Sequence, residues 1–208
     1  MAKRGGREAD RRARGEDTRR RLIDAARELF VEPGFYATSI ADIVEHSGVG
    51  TRGAFYHHFT DKADLFRAVF EEVEQDLVLR AIADPPSGEP WERFVSGIHR
   101  MLDAALEPEV QRITLIDAPA VLGWSTRRRI EEASSIAAIE AVLRRAMDEG
   151  LVADLPAPEL AHIVSAAVEE AALLIAHADH PRAARASAGL VLDRLLAGLV
   201  PERRTSKR

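Results

Sequence analysis

Residues 38–70, with the sequence TSIADIVEHSGVGTRGAFYHHFTDKADLFRAVF, decide the fold of this 208-residue chain. Thr38 and Ser39 are hydroxyl residues of the kind that cap a helix, and the apolar residues after them recur at helical spacing. Gly48 and Gly50 permit a tight turn, because glycine readily adopts positive φ. A short helix with a buried aromatic stripe follows, and Lys62 then begins a longer amphipathic helix. The stretch therefore predicts a helix-turn-helix with a supporting helix.

Several short motifs in this stretch resemble the signature of tetracycline-repressor-like (TetR family) transcription regulators. They are Thr38-Ser39, Asp42-Ile43-Val44, Ser47-Gly48-Val49, Phe55-Tyr56-His57-His58-Phe59, Lys62 and Leu65-Phe66. The similarity covers roughly residues 16–75. The run from Gly50 to Gly53 looks one residue longer than the commonest family pattern. This departure leaves open which of Gly50, Thr51 or Arg52 faces a base.

The resemblance implies an all-α fold with two functional parts. An N-terminal three-helix DNA-binding domain would contain the helix-turn-helix, and a C-terminal helical bundle would bind a ligand and dimerise. The predicted divisions are a flexible basic arm (1–15), the DNA-binding domain (16–62), a connecting helix (63–84), the ligand-binding and dimerisation domain (85–200) and a tail (201–208). Within the first domain, the apolar spacing predicts a first helix over residues 18–31.

Helical spacing continues through the second half of the chain, without an alternating strand pattern. Pro90 fits the first turn of one helix, and Pro108 begins a shorter segment that breaks at Asp117-Ala118-Pro119. Ser125 is expected to cap one long helix that ends at Gly150. Two further helices are predicted over residues 157–178 and 182–199, each with a broad apolar surface. Pro85, Pro86 and Gly88 mark the best domain boundary.

The distribution of charge fits a DNA-binding protein better than the net charge of −5 suggests. Residues 1–21 carry nine Lys or Arg against four Asp or Glu, whereas residues 63–208 carry seventeen against twenty-four. Basic character is therefore concentrated where DNA would lie. The basic residues of the arm form either a DNA-contacting extension or a solvated tail, and they are Lys3, Arg4, Arg7, Arg11, Arg12 and Arg14.

The sequence excludes several other classes of protein. It has no cysteine, so neither a disulfide framework nor a thiol nucleophile is possible. No apolar run is long enough to span a bilayer or to form a signal-peptide core, so we expect a cytoplasmic protein without membrane contact. The adjacent pairs Glu131-Glu132 and Glu169-Glu170 are expected to be solvated. No metal-binding or nucleophile motif is present, so we predict no enzyme activity, no cofactor and no metal. A helical scaffold without a DNA target, or less plausibly a helical-bundle enzyme, stays open as an alternative.

The second helix of the motif carries the expected DNA contacts. Arg52 is the best candidate for reading a base, because a guanidinium can engage guanine O6 and N7 together. Thr51 is expected to contact a base or a phosphate, Gly53 to allow close approach of the backbone, and His57 to face the groove. His58 can equally form a hydrogen bond within the domain. The resemblance implies phosphate contacts from Thr38, Ser39, Tyr56, His58 and Lys62.

The expected partners are a palindromic double-stranded operator, a second copy of the chain and a small ligand. A recognition helix alone binds weakly, so a dimer through the last two helices is expected to span two half-sites. The resemblance implies a repressor that a ligand in the C-terminal domain releases from DNA. We predict a mainly apolar ligand in a pocket lined by Phe94, Ile98, Leu102, Ile113, Trp124 and Leu143. Few polar residues interrupt this region, and each is expected to be structural: His99, Arg112, Asp117, His162, Glu169 and His177.

Overall fold

The computed structural model describes residues 2–83 and 89–201, with side chains from residue 12 onward. Every regular element within these residues is helical, so the prediction of an all-α fold is confirmed. The predicted boundary at Pro85, Pro86 and Gly88 lies outside the described residues, as does the tail after Pro201. The side chains of the predicted basic arm before Arg12 also lie outside them.

Nine α-helices occur in the described part of the chain. They are α1 (Ala2–Leu29), α2 (Ile40–Ser47), α3 (Arg52–His58), α4 (Lys62–Ile82), α5 (Pro90–Ala104), α6 (Ala118–Ala133), α7 (Ser135–Asp148), α8 (Ala157–Ala176) and α9 (Pro181–Ala197). Two π-helical stretches, Phe30–Gly34 and Val110–Asp117, follow α1 and precede α6. No helix of the described residues is both long and apolar enough to cross a membrane.

The first helix begins at Ala2, well before the predicted start at Thr18. Thr18 does not cap a helix, because its hydroxyl donates to the carbonyl of Arg14 one turn earlier, at 2.9 Å. The Arg12 guanidinium and the Glu16 carboxylate pair at i, i+4 spacing, 3.1 Å apart. Arginine, alanine and glutamate all favour helix, and the glycines between them do not interrupt it. The backbone of residues 2–15 is therefore helical, whereas the sequence predicted a flexible arm.

The single long helix predicted from Ser125 to Gly150 is two helices. α6 ends at Ala133 and α7 begins at Ser135, with Ser134 between them at φ −124° and ψ −93°. α6 also starts earlier than predicted and contains a break at Gly123, where φ is 69° and ψ is 164°. The last two predicted helices correspond to α8 and α9, and their observed ends agree with the predicted ends to within a few residues.

The chain forms two compact units, and one internal segment departs from the predicted domain bounds. The first combines Met1–Glu72 with Arg112–Gly123, and the second combines Val73–Gln111 with Trp124–Arg208. A segment from the middle of the chain thus belongs to the unit that contains the helix-turn-helix. We call the first the reading unit and the second the regulatory unit.

The core of the reading unit is aromatic. Phe30, Phe55, Phe66 and Phe70 are fully buried. The ring of Phe66 lies 5.4 Å from that of Phe30 and 5.2 Å from that of Phe35, centroid to centroid. Such tilted and edge-to-face aromatic contacts add to the stabilisation from burial of apolar area. This core joins α1 and α4 to the turn before α2 and leaves the polar sides of α2 and α3 outside.

Candidate nucleic-acid interface

Ser39 caps α2 as the sequence predicts. Its Oγ accepts a hydrogen bond from the backbone N–H of Asp42 at 3.2 Å, and the Asp42 carboxylate accepts one from the N–H of Ser39 at 2.7 Å. The backbone hydrogen bond from Ser39 lowers the pKa of the Asp42 carboxyl, so this carboxyl stays ionised at neutral pH. This capping box satisfies two backbone donors at the start of α2. Ser39 is exposed, so its predicted phosphate contact stays a prediction.

Thr38 does not have the position that a phosphate contact requires. It is 2% exposed, and its hydroxyl lies 2.8 Å from the carbonyl oxygen of Gly34 and 3.0 Å from that of Leu29. The hydroxyl proton is therefore directed to the protein's own backbone. The structure contradicts the predicted phosphate contact of Thr38, because the side chain stabilises the turn between α1 and α2 instead.

The turn between α2 and α3 depends on Gly48 and on an arginine from α1. Gly48 adopts the left-handed conformation, with φ 63° and ψ 19°, and its N–H donates to the carbonyl of Glu45. Arg21 donates from Nη2 to the carbonyl of Ser47 at 2.7 Å, so a cation lies at the C-terminal end of α2. A Cβ on Gly48 would lie 2.8 Å from this Nη2 atom. The backbone conformation therefore favours glycine here, and a Cβ would also displace the Arg21 guanidinium.

The exposed side of α3 presents polar groups to solvent. The Thr51 Oγ1 accepts from the N–H of Ala54 at 3.2 Å and caps the helix. Phe55 is buried, while Arg52, Gly53, Tyr56 and His57 are exposed, at spacings that place them on one side of the helix. Among the described residues, Arg52 has no hydrogen-bond or ion-pair partner. The guanidinium is therefore free to contact a ligand outside the protein.

His58 differs from its neighbours because it is partly buried. Burial lowers the pKa of the His58 imidazole, and the nearby His57 and Arg19 lower it further. The ring is therefore uncharged at neutral pH and would offer a phosphate one neutral N–H donor. A contact between His58 and a DNA phosphate would therefore lack the attraction between opposite charges. The described residues contain no group of three or more His, Cys, Asp or Glu side chains that could hold a metal ion.

Lys62 is directed into the reading unit. Its ammonium donates to the carbonyl of Phe35 at 2.6 Å and to the carbonyl of Thr38 at 2.7 Å, and it lies 4.2 Å from the centroid of the Phe35 ring. Burial lowers the pKa of the Lys62 ammonium, and the Asp42 carboxylate partly offsets this effect. Two of its three protons are used inside the protein. These contacts give Lys62 a positioning role before α2, and its predicted phosphate contact stays a prediction.

Replacement of Lys62 by methionine is expected to destabilise the protein in the absence of DNA. The substitution keeps the apolar stem but leaves the carbonyls of Phe35 and Thr38 without their donors, which should lower the free energy of unfolding by about 1–3 kcal/mol. Chemical denaturation measures this change. Arg67→Met on the same helix is the control, because Arg67 forms only exposed ion pairs and should change stability by less than about 1 kcal/mol. If Lys62→Met left the stability unchanged but weakened DNA binding, the result would favour the predicted phosphate contact over the positioning role.

The residues predicted to line the apolar pocket are divided between the two units. Trp124 is 74% exposed, directly after the backbone break at Gly123. Ile113 is fully buried and belongs to the reading unit, whereas the other predicted residues belong to the regulatory unit. Leu143 lies in a core cluster with Phe94 packed against it, and Ile98 and Leu102 are also buried. The structure therefore contradicts Trp124 as part of an internal pocket.

A buried polar cluster in the regulatory unit was missed by the sequence analysis. Glu74 of α4 is 6% exposed, and Glu131 of α6, predicted to be solvated, is 7% exposed. Arg127 pairs with Glu131 at 3.3 Å and with Glu169 of α8. The Ser135 hydroxyl donates to Glu74 at 3.3 Å, and Arg128 contacts His162. Glu74 follows Phe70 by four residues on the apolar side of α4, and this spacing was the signal that it is buried.

Glu74 is the third carboxylate near the Arg127 guanidinium, after Glu131 and Glu169. Glu131 and Glu169 both pair with Arg127, so Glu74 has only the Ser135 hydroxyl as a hydrogen-bond partner among the described residues. Burial raises the pKa of Glu74 to about 7, and repulsion from Glu131 contributes to this rise. The carboxyl is therefore about half protonated near pH 7 and mostly protonated below that pH.

These features define a helix-turn-helix DNA-binding transcription regulator, and comparison with known proteins identifies its family. Residues 22–69 match the family described as bacterial regulatory proteins, tetR family. Residues 91–199 match the tetracyclin repressor-like C-terminal domain. Together the two matches cover both units of the fold. The chain belongs to the TetR family, and as a transcription regulator it is not an enzyme.

Individual relatives agree with this assignment. A TetR-family regulator from Pectobacterium atrosepticum is 35% identical, with a TM-score of 0.80 over 93% of this chain and 99% of that one. The regulator SrpR from Pseudomonas putida is 34% identical over 66% of this chain and 65% of its own length. The chain thus spans about two thirds of SrpR. RolR, solved in complex with resorcinol, is 20% identical with a TM-score of 0.66 over 91% of this chain and 98% of RolR, which shows the fold alone.

Proposed function

We propose that this protein is a cytoplasmic homodimeric repressor that binds a palindromic operator through α3 and leaves it when a small ligand binds the regulatory unit. The observation that carries the proposal is the exposed polar side of α3, where Arg52, Tyr56 and His57 extend from a helix held by capped ends and a buried aromatic core. Arg52 would read a base, while Tyr56 and His57 would contact the backbone or the groove.

Replacement of Arg52 by alanine tests the reading role. Operators selected from random DNA would first define the preferred sequence. Arg52→Ala should then weaken binding by about 1–3 kcal/mol and relax the preference at one base pair in each half-site, because a bidentate contact would be lost. Arg129→Ala, which removes an exposed arginine from the regulatory unit, is the control. Equal loss on specific and random DNA would contradict base reading by Arg52.

Dimerisation through α8 and α9 is supported by apolar side chains that the single chain leaves exposed. Ile163 and Leu174 on α8, and Val191 and Leu195 on α9, are each more than half exposed. The two helices pack against each other, and both also carry buried apolar residues, such as Val168 and Leu192. A second copy would cover the exposed sides and form a four-helix interface. The two reading units of such a dimer would address the two halves of a palindrome.

The regulatory unit supports a ligand with polar as well as apolar groups. The aliphatic and aromatic cluster around Leu143 fits the apolar part of the proposal. The cluster around Glu74 and Arg127 adds buried donors and acceptors to the same unit, and the Nε atom of Arg127 is buried without a partner among the described atoms. The class of ligand therefore widens from mainly apolar to amphipathic molecules. RolR, whose structure holds the small aromatic diol resorcinol, gives an example from the same fold.

A further inference from the structure

The segment Arg112–Gly123 falls within residues 91–199, which match the C-terminal domain of the family, yet it packs into the reading unit. It contains the end of the π-helical stretch Val110–Asp117 and the first turn of α6. The chain enters this segment from the regulatory unit after Gln111 and returns to that unit at Trp124. The reading unit is therefore completed by residues that lie far from the helix-turn-helix in sequence.

Asp117 carries the polar contact between this segment and the turn before α2. Its side chain is 3% exposed. Its Oδ2 atom accepts from the backbone N–H of Phe35 at 3.3 Å and from Nε of Arg112 at 3.0 Å. The two residues Phe35 and Asp117 are 82 positions apart in the chain. A buried carboxylate requires such partners, because its desolvation is not otherwise compensated.

Arg112 uses a space that only glycine provides. A Cβ on Gly34 would lie 2.1 Å from Nη2 and 2.7 Å from Cζ of Arg112. Gly34 also has φ 105°, a conformation that other residues rarely adopt. The guanidinium therefore packs directly on the backbone of the turn while its Nε holds Asp117.

The turn that receives these contacts determines where α2 begins. The carbonyl of Gly34 accepts from the N–H of Thr38 at 3.1 Å, and Lys62 holds the carbonyls of Phe35 and Thr38. Ser39 follows immediately and caps α2. A displacement of Phe35 would thus also displace the Ser39 cap and, with it, the start of α2. Lys62 fixes this turn from α4, and Asp117 fixes it from the Arg112–Gly123 segment.

We propose that Asp117 and Arg112 are positioning residues for operator binding, which hold the turn before α2 from a segment that matches the C-terminal domain of the family. The proposal rests on α3 as the DNA-reading helix. Withdrawal of the segment would leave the Phe35 N–H without its partner, while Asp117 would keep only Arg112, which belongs to the same segment. The position of the segment and the position of the turn are therefore coupled, because separating them breaks a buried hydrogen bond and leaves the Phe35 N–H unsatisfied.

Three variants test this role on operators selected for the wild-type protein. Asp117→Ala removes both hydrogen bonds, Asp117→Asn keeps an acceptor for the Phe35 N–H, and Arg112→Gln removes the guanidinium. We expect Asp117→Ala to weaken operator binding about tenfold, Asp117→Asn and Arg112→Gln to weaken it less, and all three to keep the wild-type base preference. The control Glu132→Ala changes an exposed carboxylate of α6 and should have no effect.

Amide hydrogen exchange distinguishes positioning from general destabilisation. Exchange should accelerate in residues 35–47 of the Asp117 variants and stay at the wild-type rate in α8 and α9. Wild-type operator affinity in folded Asp117→Ala, or faster exchange throughout both units of Asp117→Asn, would overturn the proposal. If the wild-type protein selects no operator, or if Arg52→Ala keeps the full preference, the proposed function fails instead. The exchange pattern would still report whether Asp117 holds the turn.

Discussion

Leu195→Glu is expected to convert the proposed dimer to a monomer and to remove high-affinity operator binding. Leu195 lies on α9 with 60% of its surface exposed in the single chain, so a second copy would bury it. A carboxylate placed in that apolar interface would lose its hydration without gaining a partner, at a cost of several kcal/mol per subunit. Because the interface has two-fold symmetry, each substitution enters it twice. Sedimentation velocity measures the change in mass.

The matched control for this prediction lies on the same helix. Ala186 is exposed and lies nine residues before Leu195, which at about 100° per residue places it on the opposite side of α9. Ala186→Glu adds the same charge and should leave the dimer intact. Circular dichroism would show that both variants stay helical. An intact Leu195→Glu dimer, or a wild-type protein that sediments as a monomer, would refute the proposed interface.

Glu74→Gln is expected to raise the free energy of unfolding at pH 8 by about 3 kcal/mol. Burial and the repulsion from Glu131 raise the pKa of the Glu74 carboxyl from 4.5 to about 7 in the folded protein. A tenfold change in the affinity of a carboxylate for its proton corresponds to about 1.4 kcal/mol. Glutamine keeps the shape of the side chain and can still accept from the Ser135 hydroxyl, but it never acquires the unpaired charge.

The pH dependence of this effect has a defined sign. Below pH 4.5 the carboxyl is protonated in both the folded and the unfolded chain, so it brings no penalty. Between pH 4.5 and 7 the unfolded chain releases the proton while the folded chain retains it, so the wild-type protein loses stability as the pH rises. Above pH 7 the loss is constant. The stability difference between Glu74→Gln and wild type should therefore grow from pH 4.5 to 7 and then level off.

Urea denaturation across this pH range, at one protein concentration, measures the difference. The control is Glu170→Gln on α8, which neutralises an exposed carboxylate of the same unit and should alter stability by less than about 1 kcal/mol. A gap between Glu74→Gln and wild type that is equally large at pH 4 would show that packing, rather than ionisation, is responsible. No gap at pH 8 would show that Glu74 is not an unpaired buried carboxylate.

The features that the sequence determined by itself are those with local causes. The cap at Ser39, the left-handed Gly48 and the exposed side of α3 each depend on residues within one or two helical turns. Periodicity alone placed α4, α8 and α9 to within a few residues. Capping, glycine conformation and helical spacing act over such short distances, so a single sequence contains the information that they need.

Only the tertiary structure decided which polar residues face inward. Lys62 meets the carbonyls of Phe35 and Thr38 from a different helix, and Asp117 reaches the N–H of Phe35 from 82 residues away. Glu74 lost its charge partner because Glu131 and Glu169 both pair with Arg127. A buried polar group is stable only with a partner, and the chain brings these partners together only when it folds. Periodicity identifies the side of a helix that is buried, but it does not identify the residue that meets it there.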